Sequence, residues 1–122
     1  MKHKAIEAVL QTYFDAAYES DGDKFKEVFN DVAHIYGKAD GKVYDRTRDE
    51  FADFVMAGSS PNGPDWPRQD EILSIDFTSE HTAVARVKVR VKDTLYTDIL
   101  SLINIDNKWT IIAKVFAGAL AE

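Results

Sequence analysis

The chain has 122 residues, 45% of them hydrophobic and 30% charged, and 15 Lys and Arg against 21 Asp and Glu leave a net charge of −6. That length specifies one domain, residues 1–122, and an acidic surface without a basic cluster argues against nucleic-acid binding, which relies on neutralising phosphates. The absence of cysteine excludes disulfides, thiolate chemistry and cysteine-based zinc sites, and no apolar run approaches the roughly 20 residues that span a bilayer.

Chain order begins with a helix from about Lys4 to Glu19, because Ala5, Ile6, Val9, Leu10, Tyr13, Phe14 and Ala17 recur at helical spacing. This amphipathic pattern, with Glu7 inside it, is not the plain apolar run of a signal peptide, so a cytoplasmic location is expected. Gly22 is placed to cap the first helix, and Asp23 to start a short second one carrying Phe25, Val28 and Phe29. The stretch VAHIYGK then reads as a strand. Asp40-Gly41 is a tight-turn signal, and VYD returns beside that strand. Thr47 and Glu50 form a T-x-x-E capping box opening a third helix, with Phe51, Phe54 and Val55 on its buried side and Gly58 at its end. The segment GSSPNGPDWPR holds all three prolines and reads as a long loop carrying Trp66.

From Gln69 onward the pattern is strand. Leu73, Ile75 and Phe77 alternate with polar residues, and the stretches AVARVKVRVK, LYTDILSLINI and KWTIIAKVFA follow, separated by turns at Asp93-Thr94 and Asp106-Asn107. Helices followed by consecutive antiparallel strands specify an α+β domain, with the helices packed on one face of a sheet. In the strand from Ala83 to Lys92 the odd positions are apolar and the even ones basic. The last two strands are apolar on both faces. A two-residue turn at Asp106-Asn107 sets Ser101 opposite Ile112 and Ile99 opposite Lys114. Ile99, Ser101, Ile103, Thr110, Ile112, Lys114 and Phe116 are then expected on the inner face. Asp98, Leu100, Leu102, Ile111 and Val115 are expected outside, with Asp98 paired to Lys88 or Arg90. Helices cover only one face, so the outer one predicts a homodimer centred on Leu100, Leu102, Ile111 or Val115. Phe14, Phe29, Phe54, Val87 and Ile103 are expected in the core.

The stretches FNDVAHIYG (29–37), ILSIDFTSEHTAVARVKV (72–89) and YTDILSLINIDNKWTIIAKVF (96–116) resemble the nuclear transport factor 2-like superfamily, with its cystatin-like cone fold. The likeness is strongest to its lumazine-binding-like, polyketide-cyclase-like branch and covers nearly the whole chain. It implies three N-terminal helices on a strongly curved, mainly antiparallel sheet, with a blind apolar pocket for a small apolar or aromatic molecule, and usually a homodimer. Compared with ketosteroid isomerase in the same superfamily, Tyr13 falls at the position of the tyrosine that hydrogen-bonds the substrate oxyanion. Gly37 stands where the catalytic base would be and Ser101 where a second oxyanion-holding acid would be, so steroid isomerisation is not expected.

Candidate ligand-binding residues are Tyr13, His34, Trp66, Ile99, Ser101, Ile112, Lys114 and Phe116; no catalytic residue is assigned. Tyr13 suits both a core and a pocket role. Lys114 among apolar neighbours demands a carboxylate or an anionic ligand, or a route to the rim. Six residues do not fix the direction of His34, and Trp66 suits a lid or an interface. The three histidines are too scattered for a metal site, and neither metal nor cofactor is expected. Three functions stay open: a small-molecule binder, a metal-independent isomerase, cyclase or dehydratase-like enzyme using Tyr13 and Lys114, and a non-catalytic dimeric interaction module.

Overall fold

The computed structural model describes residues 2–57 and 66–120. Helix α1, Lys2–Glu19, turns Ile6, Leu10, Tyr13, Phe14 and Ala17 to the core at the spacing expected of one helix face. It ends at Ser20, whose φ of 53° takes the left-handed turn expected of Gly22. Asp21, not Asp23, is the N-cap of α2, Gly22–Val28, and its carboxylate accepts the Asp23 and Lys24 amides. Gly22 serves a different need. A Cβ there would come within 2.7 Å of the Ala52 carbonyl oxygen, in the helix that crosses α2. Gly22→Ala is therefore expected to lower unfolding free energy in urea by about 1–3 kcal/mol, although alanine is the better helix former.

Strand β1, Phe29–Ala39, begins earlier than expected and takes Phe29 out of the second helix. Asp40 and Gly41, with φ of 52° and 76°, make the tight turn into β2, Lys42–Thr47. The capping box forms as read: the Glu50 amide donates to the Thr47 hydroxyl and the Thr47 amide to the Glu50 carboxylate. It opens α3, Arg48–Ala57, which buries only Ala52 completely. Phe54 is 58% exposed under the Arg46 guanidinium, so it does not belong to the core, whereas Phe51 and Val55 pack against it. Gly58 lies outside the described residues.

Strands β3, Asp70–Phe77, β4, Thr82–Val91, β5, Thr94–Ile105, and β6, Lys108–Leu120, complete one six-stranded sheet in the order β2-β1-β6-β5-β4-β3. The β1–β6 pair is parallel and the others are antiparallel. Three helices on one mostly antiparallel curved sheet make the α+β cone architecture expected. The β4–β5 turn falls on Lys92-Asp93, one residue earlier than read, because Val91 pairs with Thr94. The β5–β6 turn falls on Asp106-Asn107 as read, both residues having positive φ.

Beyond that turn the ladder departs from a plain two-residue hairpin. Leu102 pairs with Ile111 but Ser101 pairs with Ala113, so Ile112 is an extra residue in β6. A bulge of this kind reverses which face the following side chains take. Leu100 then sits opposite Lys114 and Asp98 opposite Phe116, not Ile99 opposite Lys114. The inner face of β5 is Asp98, Leu100 and Leu102, all essentially buried. Ile99, Ser101 and Ile103 take the outer face, and Ile99 is 44% exposed. Leu100, Leu102 and Ile111 are therefore core residues and not the centre of an exposed surface. Val115 does lie outside, 46% exposed and directly across from Ile99. Ile103 is only partly buried, while Phe14, Phe29 and Val87 are fully core as expected.

Candidate functional site

Three buried polar side chains meet under α1. Tyr13 comes from the middle of that helix, Asp98 from the inner face of β5, and Lys114 from β6 just past the bulge. Without the extra residue at Ile112, a regular ladder would put Asp98 and Lys114 on opposite faces. The Tyr13 hydroxyl donates to Asp98 Oδ2 at 2.5 Å, and Lys114 Nζ lies 3.8 Å from that same oxygen. This is an ion-pair distance, too long for a hydrogen bond. Asp98 Oδ1 is buried and has no hydrogen-bond partner among the described residues.

Aromatic rings enclose the lysine. Its Nζ is 4.7 Å from the Phe51 ring centre, 5.2 Å from that of Tyr13 and 6.0 Å from that of Phe116. Phe116 fits because β1 carries Gly37 opposite it: any Cβ at Gly37 would run into the Phe116 ring. The position where the resemblance would put a catalytic base is thus used for packing. Tyr44 and Tyr96 meet Phe116 edge-on at 5.2 and 5.9 Å.

Burial sets the electrostatics. It pushes the Lys114 ammonium below the ordinary lysine range, partly opposed by the charge of Asp98. It also pushes the Tyr13 phenol well above its ordinary value, and the Asp98 charge and hydrogen bond add to that rise. At neutral pH the site therefore holds a neutral phenol donor and an amine that gives up its proton more readily than a surface lysine does.

The other candidates scatter. Ile99 and Ser101 face outward, and Ile112 is the bulge residue itself. His34 is also outward, since Ala33 and Ile35 on either side of it are buried. Its Nδ1 is 2.6 Å from Asp45 and its ring stacks on Tyr36 at 5.8 Å. Trp66 is half-buried beneath the Arg90 guanidinium, 6.0 Å from its ring centre. Only Tyr13, Lys114 and Phe116 of the eight come together. Asp98, expected outside beside Lys88 or Arg90, is the residue the sequence reading missed. The signal for it lay in β4: its apolar odd positions are the buried ones, and across a two-residue turn Val87 faces Asp98.

Among the described residues no cluster of His, Cys, Asp or Glu could hold a metal ion, and no helix is long and apolar enough to cross a membrane. Two surface hollows, of about 520 and 490 Å³, lie elsewhere. One is beside Arg68, Asp70 and Lys88, and the other is between α1 and Trp109.

A curved sheet wrapped on a long first helix, with polar groups buried between them, defines a nuclear transport factor 2-like protein of the cystatin-like fold. Residues 1–117 match the family described as Putative lumazine-binding, and the chain belongs to that family. It is 28% identical over 117 residues to the protein named aldolase FrzH from Cladobotryum sp., covering 94% of this chain and 90% of that one. A solved nuclear transport factor 2-like protein of unknown function from Methylobacillus flagellatus KT is 29% identical with a TM-score of 0.79, over 95% of this chain and 90% of the other. Another, from Shewanella baltica OS155, superposes with a TM-score of 0.87 at 22% identity, over 98% of this chain and 94% of that one. That second likeness is one of fold.

Proposed function

We propose that the protein binds a small, largely apolar carbonyl compound in the cone and activates it as its enol or enolate, in metal-independent isomerase, cyclase or aldol-type chemistry. The observation that carries this reading is the buried carboxylate oxygen Asp98 Oδ1, which has no partner, beside an amine and a phenol. Proton abstraction next to a carbonyl needs a base inside the apolar site and a positive or donating group at the developing oxyanion. Asp98 meets the first need, and Lys114 the second. The Tyr13 hydroxyl holds Asp98 in place through its other oxygen. An aldolase among the relatives supports carbonyl chemistry.

The reading is tested by deuterium exchange. Cyclohexanone, 2-butanone and acetophenone in D₂O should lose their α-proton signals when the protein is added. Asp98→Asn should slow that exchange by about 100-fold or more. Unchanged exchange in the variant would remove Asp98 from the role. Protein-dependent binding of these ketones without exchange would favour a carrier. Phe51 and Phe116 packed against the amine favour a third reading, an interaction module filled by its own side chains.

The same proposal places the protein in the cytoplasm as a homodimer. Ile99 and Val115, paired across β5 and β6, form an exposed apolar spot on the outer sheet face, which a second copy would cover. Light scattering should return twice the chain mass for the wild type and the single chain mass for Val115→Asp, with circular dichroism unchanged. A monomeric wild type at micromolar concentration would overturn the dimer.

A further inference from the structure

We propose that Lys114 is a covalent nucleophile, whose amine condenses with an aldehyde or ketone in the site to form a Schiff base. The proposal rests on the reading that carbonyl compounds enter the cone, and it names the atom they meet. Three observations point to it. Lys114 is the only buried lysine among the residues whose side chains are described. Its amine has no hydrogen-bond acceptor among the described residues, only ring faces and an oxygen at 3.8 Å that already accepts the Tyr13 hydroxyl. It also keeps 8% of its surface open, whereas Asp98 keeps none, so an incoming molecule reaches the amine before the carboxylate.

A salt bridge built for stability would bring the ammonium within hydrogen-bond distance and use both carboxylate oxygens. Here the amine is desolvated and makes no hydrogen bond to Asp98, the arrangement that makes a lysine nucleophilic. Burial lowers the proton affinity of the amine, which supplies the neutral form the reaction needs.

The chemistry balances with groups present. The nitrogen lone pair adds to the carbonyl carbon, the carbonyl oxygen gains a proton, and a neutral carbinolamine forms once the nitrogen has released one. The hydroxyl then leaves as water after a second protonation, giving an iminium. Overall, amine, carbonyl and one proton become iminium and water. Asp98 Oδ1 is the nearby unengaged base that can accept a proton from the carbon next to the iminium and leave an enamine.

Reductive trapping on the wild-type protein tests the proposal without requiring any variant to fold. The protein is treated at near-neutral pH with glycolaldehyde, butanal or benzaldehyde and sodium cyanoborohydride, and the alkylated lysines are counted by peptide mapping over time. Lys114 should be modified about tenfold faster than any exposed lysine, because burial keeps its desolvated amine neutral at lower pH than theirs. Its rate should also level off at lower pH than theirs. Modification at or below the rate of exposed lysines with all three aldehydes would overturn the proposal. If Asp98-dependent ketone exchange persisted in that case, the enolate reading would stand and only the covalent step would fall. Loss of both would remove the carbonyl reading itself.

Discussion

Lys114→Met should destabilise the fold by about 3 kcal/mol, and adding Asp98→Leu should recover most of that loss. On the sequence alone, replacing a lysine lodged among apolar residues should have been neutral or favourable. The structure reverses the sign, because the methionine would leave Asp98 fully buried with only the Tyr13 hydroxyl for company. Breaking a buried pair by removing one partner costs roughly 3–5 kcal/mol, whereas replacing both partners with apolar residues is often neutral or stabilising. The long 3.8 Å separation argues for the lower end of that range. Urea denaturation of the two single variants and the double variant measures the coupling directly. Strictly additive effects would mean that the pair does not interact.

The pH dependence of stability follows from the same residues. Lys114 titrates below 10.5 in the folded protein, so over that interval the unfolded chain binds more protons and stability rises with pH. Tyr13 titrates well above 10.0 when folded, so at higher pH the folded state holds the extra proton and stability falls again. In Lys114→Met the rise should be absent while the fall at high pH remains.

Phe29→Ala should cost about 3–5 kcal/mol, while Phe54→Ala should change stability by less than about 0.5 kcal/mol. By composition the two positions are equivalent, and a helical pattern draws Phe54 into the core. In the structure Phe29 is 2% exposed and packs against Tyr13 and Phe25, with ring centres 5.9 and 6.1 Å apart. Phe54 is on the solvent side of α3, with the Arg46 guanidinium 5.0 Å from its ring centre. Truncating Phe29 would open a cavity beside the candidate site and should also loosen the Tyr13–Asp98 contact. Equal thermal shifts for the two variants would contradict this packing.

Much of the architecture is legible in residues that act locally. Helical spacing in α1, the Thr47 and Glu50 capping box, the turns at Asp40-Gly41 and Asp106-Asn107, and the alternation in β4 each depend on neighbours a few positions away. Backbone geometry and periodicity settle such features before any distant contact forms. The inward direction of Lys114 and Phe116 was legible too, although for a reason that proved incomplete. An even count from the Asp106-Asn107 turn along both strands puts Lys114 inside and Asp98 outside. Only the tertiary structure decides that Ile112 bulges out of the ladder, because a bulge is a compromise between two strands and the helix packed on them, not a local preference. That one unpaired residue brings Asp98 and Lys114 to the same face and turns Ile99 and Ser101 away from it. Gly22 shows the same division: its identity suggested a helix cap, but the reason for it is the Ala52 carbonyl of a helix some thirty residues further along the chain.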